Sequence, residues 1–180
     1  MGFCLFGNIA IGAKHALDHH GLKRVAVVDF DVHHGNGTQD LLQDDPRVLF
    51  ISSHEMPLYP GTGDPSDTGE HDNVINIALK AGTRSKEFRE IYEAQVFPRL
   101  RAFKPDLILV SAGFDAHRAD PLANICLETA DFAWVTGRIC DIADQVCEGR
   151  VVSALEGGYD LEALADSAAA HVKTLQERAA

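Results

Sequence analysis

Residues 24–38 of this chain read RVAVVDFDVHHGNGT. The first seven are mostly apolar and rich in valine, which is typical of a strand buried on both faces of a parallel sheet. The run then gives way to aspartate, histidine and glycine. Open α/β sheets place their ligand sites at the carboxyl ends of such strands. The segment therefore predicts a parallel sheet with a functional site at its edge.

The rest of the chain alternates between short apolar runs and amphipathic stretches. Further strands are predicted at 48–52, 74–78, 107–111 and 151–155, and helices at 8–20, 85–103, 129–147 and 160–177. This alternation is typical of an α/β fold with a mostly parallel sheet and helices on both faces. No repeat or linker interrupts it, so residues 1–180 are expected to form a single α/β domain.

Three residues predict details of the helices. Gly21 follows the first helix, where glycine commonly ends a helix in a left-handed conformation. Pro98 predicts a kink or break in the second helix, since proline lacks the N–H that the helix needs. Thr129 is a suitable N-cap for the third.

Charge, cysteine spacing and hydropathy argue against several classes of protein. The formal net charge of −11 argues against nucleic acid as a direct partner, because binding the phosphate backbone requires basic residues. The four cysteines form no CxxC pair, which favours reduced thiols over disulfides or a thiolate zinc site. We see no membrane-spanning run and no secretory signal, so we expect a cytoplasmic protein without a membrane partner.

The residues that carry chemistry begin at the end of the first strand. Alternation along a strand predicts that Asp29, Asp31 and His33 share one face, where they would be costly to bury unless they hold a cation. The strand at 107–111 leads to Asp115, which should emerge on the same edge. Two oxygen ligands and one nitrogen ligand leave a tetrahedral Zn²⁺ one open position, which indicates a catalytic site.

A third strand end carries Glu156-Gly157-Gly158-Tyr159. The two glycines allow backbone conformations closed to other residues, which would let the phenol reach a neighbouring cleft. A hydroxyl there could donate a hydrogen bond to an oxyanion formed beside the metal.

These segments together resemble the histone deacetylase family over essentially the whole chain. The matching motifs, in the order and spacing of the family, are GFC at 2–4, DFDVHHGNGT at 29–38, SSH at 52–54, YPGTGD at 59–64, AGFDAHRADP at 112–121 and EGGYD at 156–160. The sequence HHGNGT and the glutamate before Gly-Gly-Tyr resemble those of the class II branch and its bacterial relatives. The resemblance implies the arginase/deacetylase-like fold.

The resemblance also implies roles for individual residues. Asp31, His33 and Asp115 would be the zinc ligands, and Tyr159 the hydrogen-bond donor in the transition state. Asp29 and Ser52 match a structural potassium site, in which Asp29, Asp31 and His33 contribute backbone carbonyls. The positions that match the substrate tunnel are Phe3, Tyr59, Leu122, Gly157 and Gly158. His34 should point away from the zinc and be structural.

The implied activity is zinc-dependent hydrolysis of the amide in acyl-lysine peptides or proteins. The uncharged Leu122, where a glutamate favours acetylpolyamines, predicts acyl-lysine as the better substrate. Oligomers are possible. The family's tandem histidine, which serves as general base and acid in a Pro-Gly-His-His stretch before Gly-Phe-Cys, does not occur in residues 1–180. The surface pair His19-His20 is no replacement.

We therefore expect the C-terminal portion of a deacetylase catalytic domain, truncated on its N-terminal side and impaired in activity. Three other interpretations stay open. One is a non-catalytic metal-binding or interaction fragment of a deacetylase, and another is an acetylpolyamine amidohydrolase. The third is a dimanganese ureohydrolase of related fold, which is disfavoured because His34-Gly35 follows His33 where an Asp-x-His-x-Asp pattern would be expected.

Overall fold

The fold is built on a parallel sheet, seen in a computed structural model that describes residues 5–178. Within that range five strands pair in the order β3-β2-β1-β4-β5, and every pairing is parallel. The strands are β1 Val25–Asp29, β2 Val48–Glu55, β3 Val74–Leu79, β4 Leu107–Ala112 and β5 Val151–Leu155. The predicted α/β class and the predicted strands are confirmed.

Helices cover both faces of this sheet, as predicted. The α-helices are α1 Asn8–His19, α2 Asn36–Leu42, α3 Ser85–Ile91, α4 Phe97–Phe103, α5 Thr129–Val146 and α6 Leu161–Arg178. On one face α1 packs on alternate residues of the central strands, among them Val25, Val27 and Leu109. On the other face α3, α4 and α5 pack on the intervening residues, such as Val28 and Val110.

The central strand β1 fixes the position of the site. All five of its residues are buried, and Val25 pairs with Val48 of β2 on one side and Leu107 of β4 on the other. The same register pairs Asp29 with Ser52 and with Ser111. The carboxyl ends of β2, β1 and β4 therefore lie side by side, and β5 continues the edge.

Some local features differ from the prediction. Helix α2 was not predicted, because Gly35 and Gly37 at its start are typical of a loop. The helix predicted at 85–103 contains a π-helical segment, Tyr92–Val96, just before α4, which carries Pro98 near its first turn. The N-cap of α5 is Glu128, so the prediction of Thr129 was wrong by one residue. A Glu128–Asp131 capping box explains the difference, because each side chain accepts a bond from the other residue's backbone N–H.

The end of α1 follows the prediction. The helix stops at His19, and Gly21 adopts φ of +66°. The N–H of Leu22 bonds back to the carbonyl of Ala16, which satisfies one of the last helical carbonyls. Across residues 5–178, no helix combines the length and apolarity that crossing a bilayer requires.

Candidate metal centre

The segment that leaves β1 turns sharply because of its aspartates. Asp29 Oδ1 accepts the N–H of Asp31 at 3.1 Å, and Asp31 Oδ1 accepts the N–H of His33 at 2.8 Å. Each is the Asx-type bond by which aspartate stabilises a turn two residues ahead. The strand consequently ends at Asp29, and Asp31 and His33 lie on a tight segment beyond it.

Three side chains converge at this edge. His33 Nδ1 lies 3.0 Å from Asp115 Oδ2 and 3.2 Å from Asp31 Oδ1. Among the described residues, Asp31, His33 and Asp115 are the one group of three potential metal-ligating side chains whose ligand atoms all lie within 4.8 Å of one another. Asp115 is fully buried, while the side chains of His33 and Asp31 are 20% and 13% exposed. The centre is thus open on one side.

Backbone N–H groups fix the orientation of both carboxylates. The N–H of Gly157 donates to Asp31 Oδ2 at 2.8 Å, and the N–H of Val32 donates to Asp115 Oδ1 at 2.8 Å. In each carboxylate, one oxygen accepts a backbone N–H from a neighbouring segment and the other approaches the His33 ring; for Asp31 that second oxygen also accepts the His33 N–H. Such bonds from the surrounding protein orient metal ligands in metalloproteins.

Two glycines make room for these carboxylates. A Cβ on Gly157 would lie 2.1 Å from Asp115 Oδ2 and 2.6 Å from Asp31 Oδ2. A Cβ on Gly113 would lie 2.4 Å from Asp31 Oδ2 and 2.5 Å from the Asp31 Cα. All four distances are shorter than a Cβ contact normally allows. Gly157, predicted from the motif to line the tunnel, lines the cleft and also packs directly against the carboxylate oxygens of Asp115 and Asp31.

The electrostatics of the centre favour a bound positive charge. The pKa of His33 is raised to about 10, mainly by its hydrogen bonds to Asp115 and Asp31. Burial raises the pKa of Asp115 to about 6, although the bond from His33 opposes this rise. A proton on His33 provides one way to neutralise the carboxylates, and a divalent cation provides another, because ligands lose their protons when a metal binds.

Asp29 is not part of this group of three. Its side chain is buried, and its Oδ2 would lie 2.3 Å from a Cβ on Gly35. Asp29, Asp31 and His33 all line the cleft, but not through strand alternation, because β1 ends at Asp29 and a turn follows. Burial, followed by repulsion from Asp31 and Glu156, raises the pKa of Asp29 well above its usual value.

Ser52 lies beside Asp29 on the neighbouring strand. It is buried, and its hydroxyl lies 3.1 Å from His54 Nδ1. The structure therefore places the two residues predicted for potassium next to each other.

A cleft of about 1040 Å³ opens over the centre. Tyr59 and Tyr159 both lie near His33, with ring centroids 6.4 Å from the imidazole in each case. Leu122 lies at the wall of the cleft and is 48% exposed. The structure thus brings Tyr59, Tyr159 and Leu122 to the mouth of the predicted site. Phe3, the other predicted tunnel residue, lies outside the described residues.

The histidines near the centre have other partners. His34 is buried, with Nδ1 2.8 Å from Thr62 Oγ1 and Nε2 2.9 Å from Gln39 Oε1. His54 Nε2 donates to the Gly63 carbonyl at 2.9 Å. Burial lowers the pKa of both imidazoles, that of His54 to about 4. The structural role predicted for His34 agrees with these contacts, which hold the loop that carries Tyr59.

Two buried acids near the site were not predicted. Asp120 accepts backbone N–H groups from Leu122 and Tyr159, and Glu55 accepts two hydrogen bonds from Asn124. Asp120 lies within the motif AGFDAHRADP, but its bond to Tyr159 joins distant parts of the chain and cannot be inferred from the motif. Only Pro121, which follows it, indicated in the sequence that this loop is rigid.

Comparison with known proteins identifies a family. The histone deacetylase domain matches residues 1–175. "Histone deacetylase 14, chloroplastic" of Arabidopsis thaliana is 48% identical over 97% of this chain, and "Histone deacetylase 10, chloroplastic" of Oryza sativa is 46% identical over 94%. The aligned region makes up 42% and 39% of those two proteins, so the chain spans less than half of their length.

A solved structure has the same fold. The crystal structure of the HDA15 HD domain superposes with a TM-score of 0.90 at 37% sequence identity. The match covers 98% of this chain and 50% of that one.

Proposed function

This chain belongs to the histone deacetylase family, and from that premise we propose that it forms the metal-binding part of a zinc-dependent hydrolase that removes acetyl or other acyl groups from lysine side chains. The family supports a deacetylase activity. The observation that carries the zinc proposal is the convergence of Asp31, His33 and Asp115 at an open cleft.

The donor set fits zinc. One imidazole nitrogen and two carboxylate oxygens are common zinc ligands, and three protein ligands with an open side are typical of catalytic zinc. The hydrogen bonds from Gly157 and Val32 support this proposal, because each leaves one carboxylate oxygen facing His33. Bound there, zinc would polarise a carbonyl and lower the pKa of water.

The residues around the cleft would orient the substrate. The Tyr159 hydroxyl would donate a hydrogen bond to the carbonyl oxygen as negative charge develops there. Tyr59 would pack against the methylene chain of the lysine. Leu122 offers no charge to pair with a distant ammonium, which favours acyl-lysine peptides over acetylpolyamines.

Proton transfer requires a further group. Among the described residues the cleft wall carries two histidines, His33 and His34. His33 is a proposed ligand, and His34 is hydrogen-bonded to Thr62 and Gln39. We therefore propose that the general base and acid is the tandem histidine that the family carries. Residues 1–180 alone should turn over slowly, since general acid–base catalysis contributes about 10²–10⁴-fold.

The buried carboxylates favour a second cation. Burial, together with repulsion from Asp31, Glu156 and Asp115, raises the pKa of Asp29. Potassium beside Asp29 and Ser52 would offset this repulsion. We also propose that the protein is cytoplasmic.

Metal analysis combined with an activity assay tests the proposal. Protein purified without chelator should contain about one zinc per chain and hydrolyse an acetyl-lysine peptide when assayed with an upstream extension that includes the tandem histidine. Asp31→Ala should lose both zinc and activity. The matched control Asp166→Ala removes an exposed aspartate of α6 and should keep both.

The outcomes separate the readings. Full zinc in Asp31→Ala would exclude Asp31 as a ligand. A zinc-loaded, extended protein without turnover would instead favour a non-catalytic metal-binding module. Faster hydrolysis of acetylspermidine than of the peptide would favour an acetylpolyamine amidohydrolase.

A further inference from the structure

One buried carboxylate joins two loops of the cleft. Asp120 is 7% exposed. Its Oδ2 accepts the backbone N–H of Tyr159 at 2.7 Å, and its Oδ1 accepts the backbone N–H of Leu122 at 3.0 Å. The Asp120 N–H itself donates to the carbonyl of His117 at 2.9 Å. Both carboxylate oxygens are thus used, and the aspartate is held in turn by its own loop.

The two loops carry different parts of the proposed site. The first follows β4 and contains Asp115 and Leu122. The second follows β5 and contains Gly157 and Tyr159. Asp120 therefore connects the residue proposed to stabilise the oxyanion with the residue proposed to face the substrate at the rim.

The backbone before Tyr159 gives this bond its importance. Gly157 and Gly158 precede the tyrosine, and Gly158 has φ of +143°, a conformation that side-chain-bearing residues rarely adopt. Such a segment does not fix the direction of the next side chain by itself. The N–H of Gly157 is held by Asp31 and that of Tyr159 by Asp120. Hydrogen bonds to a carboxylate are shorter and stronger than neutral ones.

The first loop has a second anchor that does not reach Tyr159. Glu55, buried at the end of β2, accepts the N–H of Asn124 at 2.7 Å and its side-chain amide at 2.8 Å. Along the chain, Leu122 lies between Asp120 and Asn124, the residue that Glu55 holds. A change at Glu55 loosens the loop of Leu122, whereas a change at Asp120 also releases the backbone of Tyr159.

We propose that Asp120 is a positioning residue that fixes the Tyr159 hydroxyl relative to Leu122 at the rim of the cleft. The same buried carboxylate would then support both substrate selection and oxyanion stabilisation. The catalytic half of this statement rests on the proposed function. The positional half concerns only the backbone at Tyr159 and can be measured without turnover.

Hydrogen exchange tests the positional half. In the zinc-loaded protein, Asp120→Ala should raise amide exchange across residues 156–160 by at least about tenfold, since the N–H of Tyr159 loses its acceptor. The matched control Glu55→Gln should raise exchange near Asn124 but leave residues 156–160 within about twofold. Unchanged exchange at 156–160 in Asp120→Ala would overturn the proposal.

A double-mutant cycle tests the catalytic half in the extended, active protein. Asp120→Ala should lower kcat by about tenfold or more, a part of the 10²–10³-fold typical of losing an oxyanion donor. In a Tyr159→Phe background the same change should lower kcat by less than about twofold, because the hydroxyl it positions is gone. Equal losses in both backgrounds would show that Asp120 acts by another route.

A third variant, Asp120→Asn, keeps the proposal testable if Asp120→Ala does not fold. Asp120→Asn keeps the shape of the side chain but replaces one acceptor oxygen with an NH₂ group, so it should fold and give intermediate values in both assays. If the extended protein without any substitution binds zinc but shows no turnover, the proposed function fails. The exchange data then still decide whether Asp120 holds Tyr159.

Discussion

Replacing Gly157 with alanine should weaken metal binding without altering the fold. The new Cβ would lie 2.1 Å from Asp115 Oδ2 and 2.6 Å from Asp31 Oδ2, whereas such contacts essentially never fall below 3.0 Å. The Asp115 oxygen must therefore move by about 0.9 Å, while metal–ligand distances tolerate only about 0.2 Å. Gly157 does not have a positive φ in this structure, so the effect is steric.

The expected size follows from the neighbours that orient the ligands. Changing a residue that orients metal ligands typically costs 10–100-fold in metal affinity. Gly157→Ala should lose about that much or more, because it displaces two proposed ligands at once. Zinc affinity is measured by competition with a chromophoric chelator, and secondary structure by circular dichroism.

A second glycine provides the matched control. Gly137 lies within α5, where a Cβ would meet its nearest neighbour, Thr174 Cγ2, at 3.7 Å. Gly137→Ala should leave zinc affinity unchanged and stabilise the fold by about 0.5–1 kcal/mol, because alanine is the better helix former. Zinc affinity in Gly157→Ala within twofold of that in Gly137→Ala would refute the steric argument.

Three further predictions follow from the cleft and the core. Tyr159→Phe should keep zinc but lower kcat by about 10²–10³-fold; a peptide assay with metal analysis would expose a smaller loss. Leu122→Glu should raise the kcat/KM ratio of acetylspermidine to acetyl-lysine peptide by about two- to fivefold, the range for an exposed ion pair, and an unchanged ratio would remove Leu122 from substrate selection. His171 is buried between Thr136 and Ser153, and burial lowers its pKa from 6.5 to about 4. As pH falls from 6.5 towards 4 the unfolded chain binds a proton that the folded chain does not, so stability should decrease. In His171→Gln, the free energy of unfolding should depend less on pH, by the equivalent of about one bound proton. Urea unfolding between pH 7.5 and 5 measures this dependence.

The sequence predicts the strands well because each is a short apolar run that ends in polar residues. For β1, complete burial explains the unbroken run from Val25 to Val28. The order of the strands does not follow from such runs. Asp31 lies close to Asp115 only because β4 pairs with β1, although the chain forms β2 and β3 between these two strands.

The fine structure of the site depends on contacts between distant residues. The alternation of a strand predicted that Asp29, Asp31 and His33 share one face, but carboxylate bonds to the backbone turn the chain after Asp29, and Asp115 rather than Asp29 joins the group of three. Helix α2 was missed because glycines mark its start. The bond from Tyr159 to Asp120 spans 39 positions, a distance at which local patterns carry no information.

X-ray absorption at the zinc edge tests the central claim most directly, because it reports which atoms bind the metal. The protein should show one imidazole nitrogen with carboxylate oxygens and no sulfur, since Asp31, His33 and Asp115 converge at the cleft. The imidazole signal should disappear in His33→Ala and persist in His34→Ala. A site rich in sulfur, or an imidazole signal that survives His33→Ala, would contradict the account.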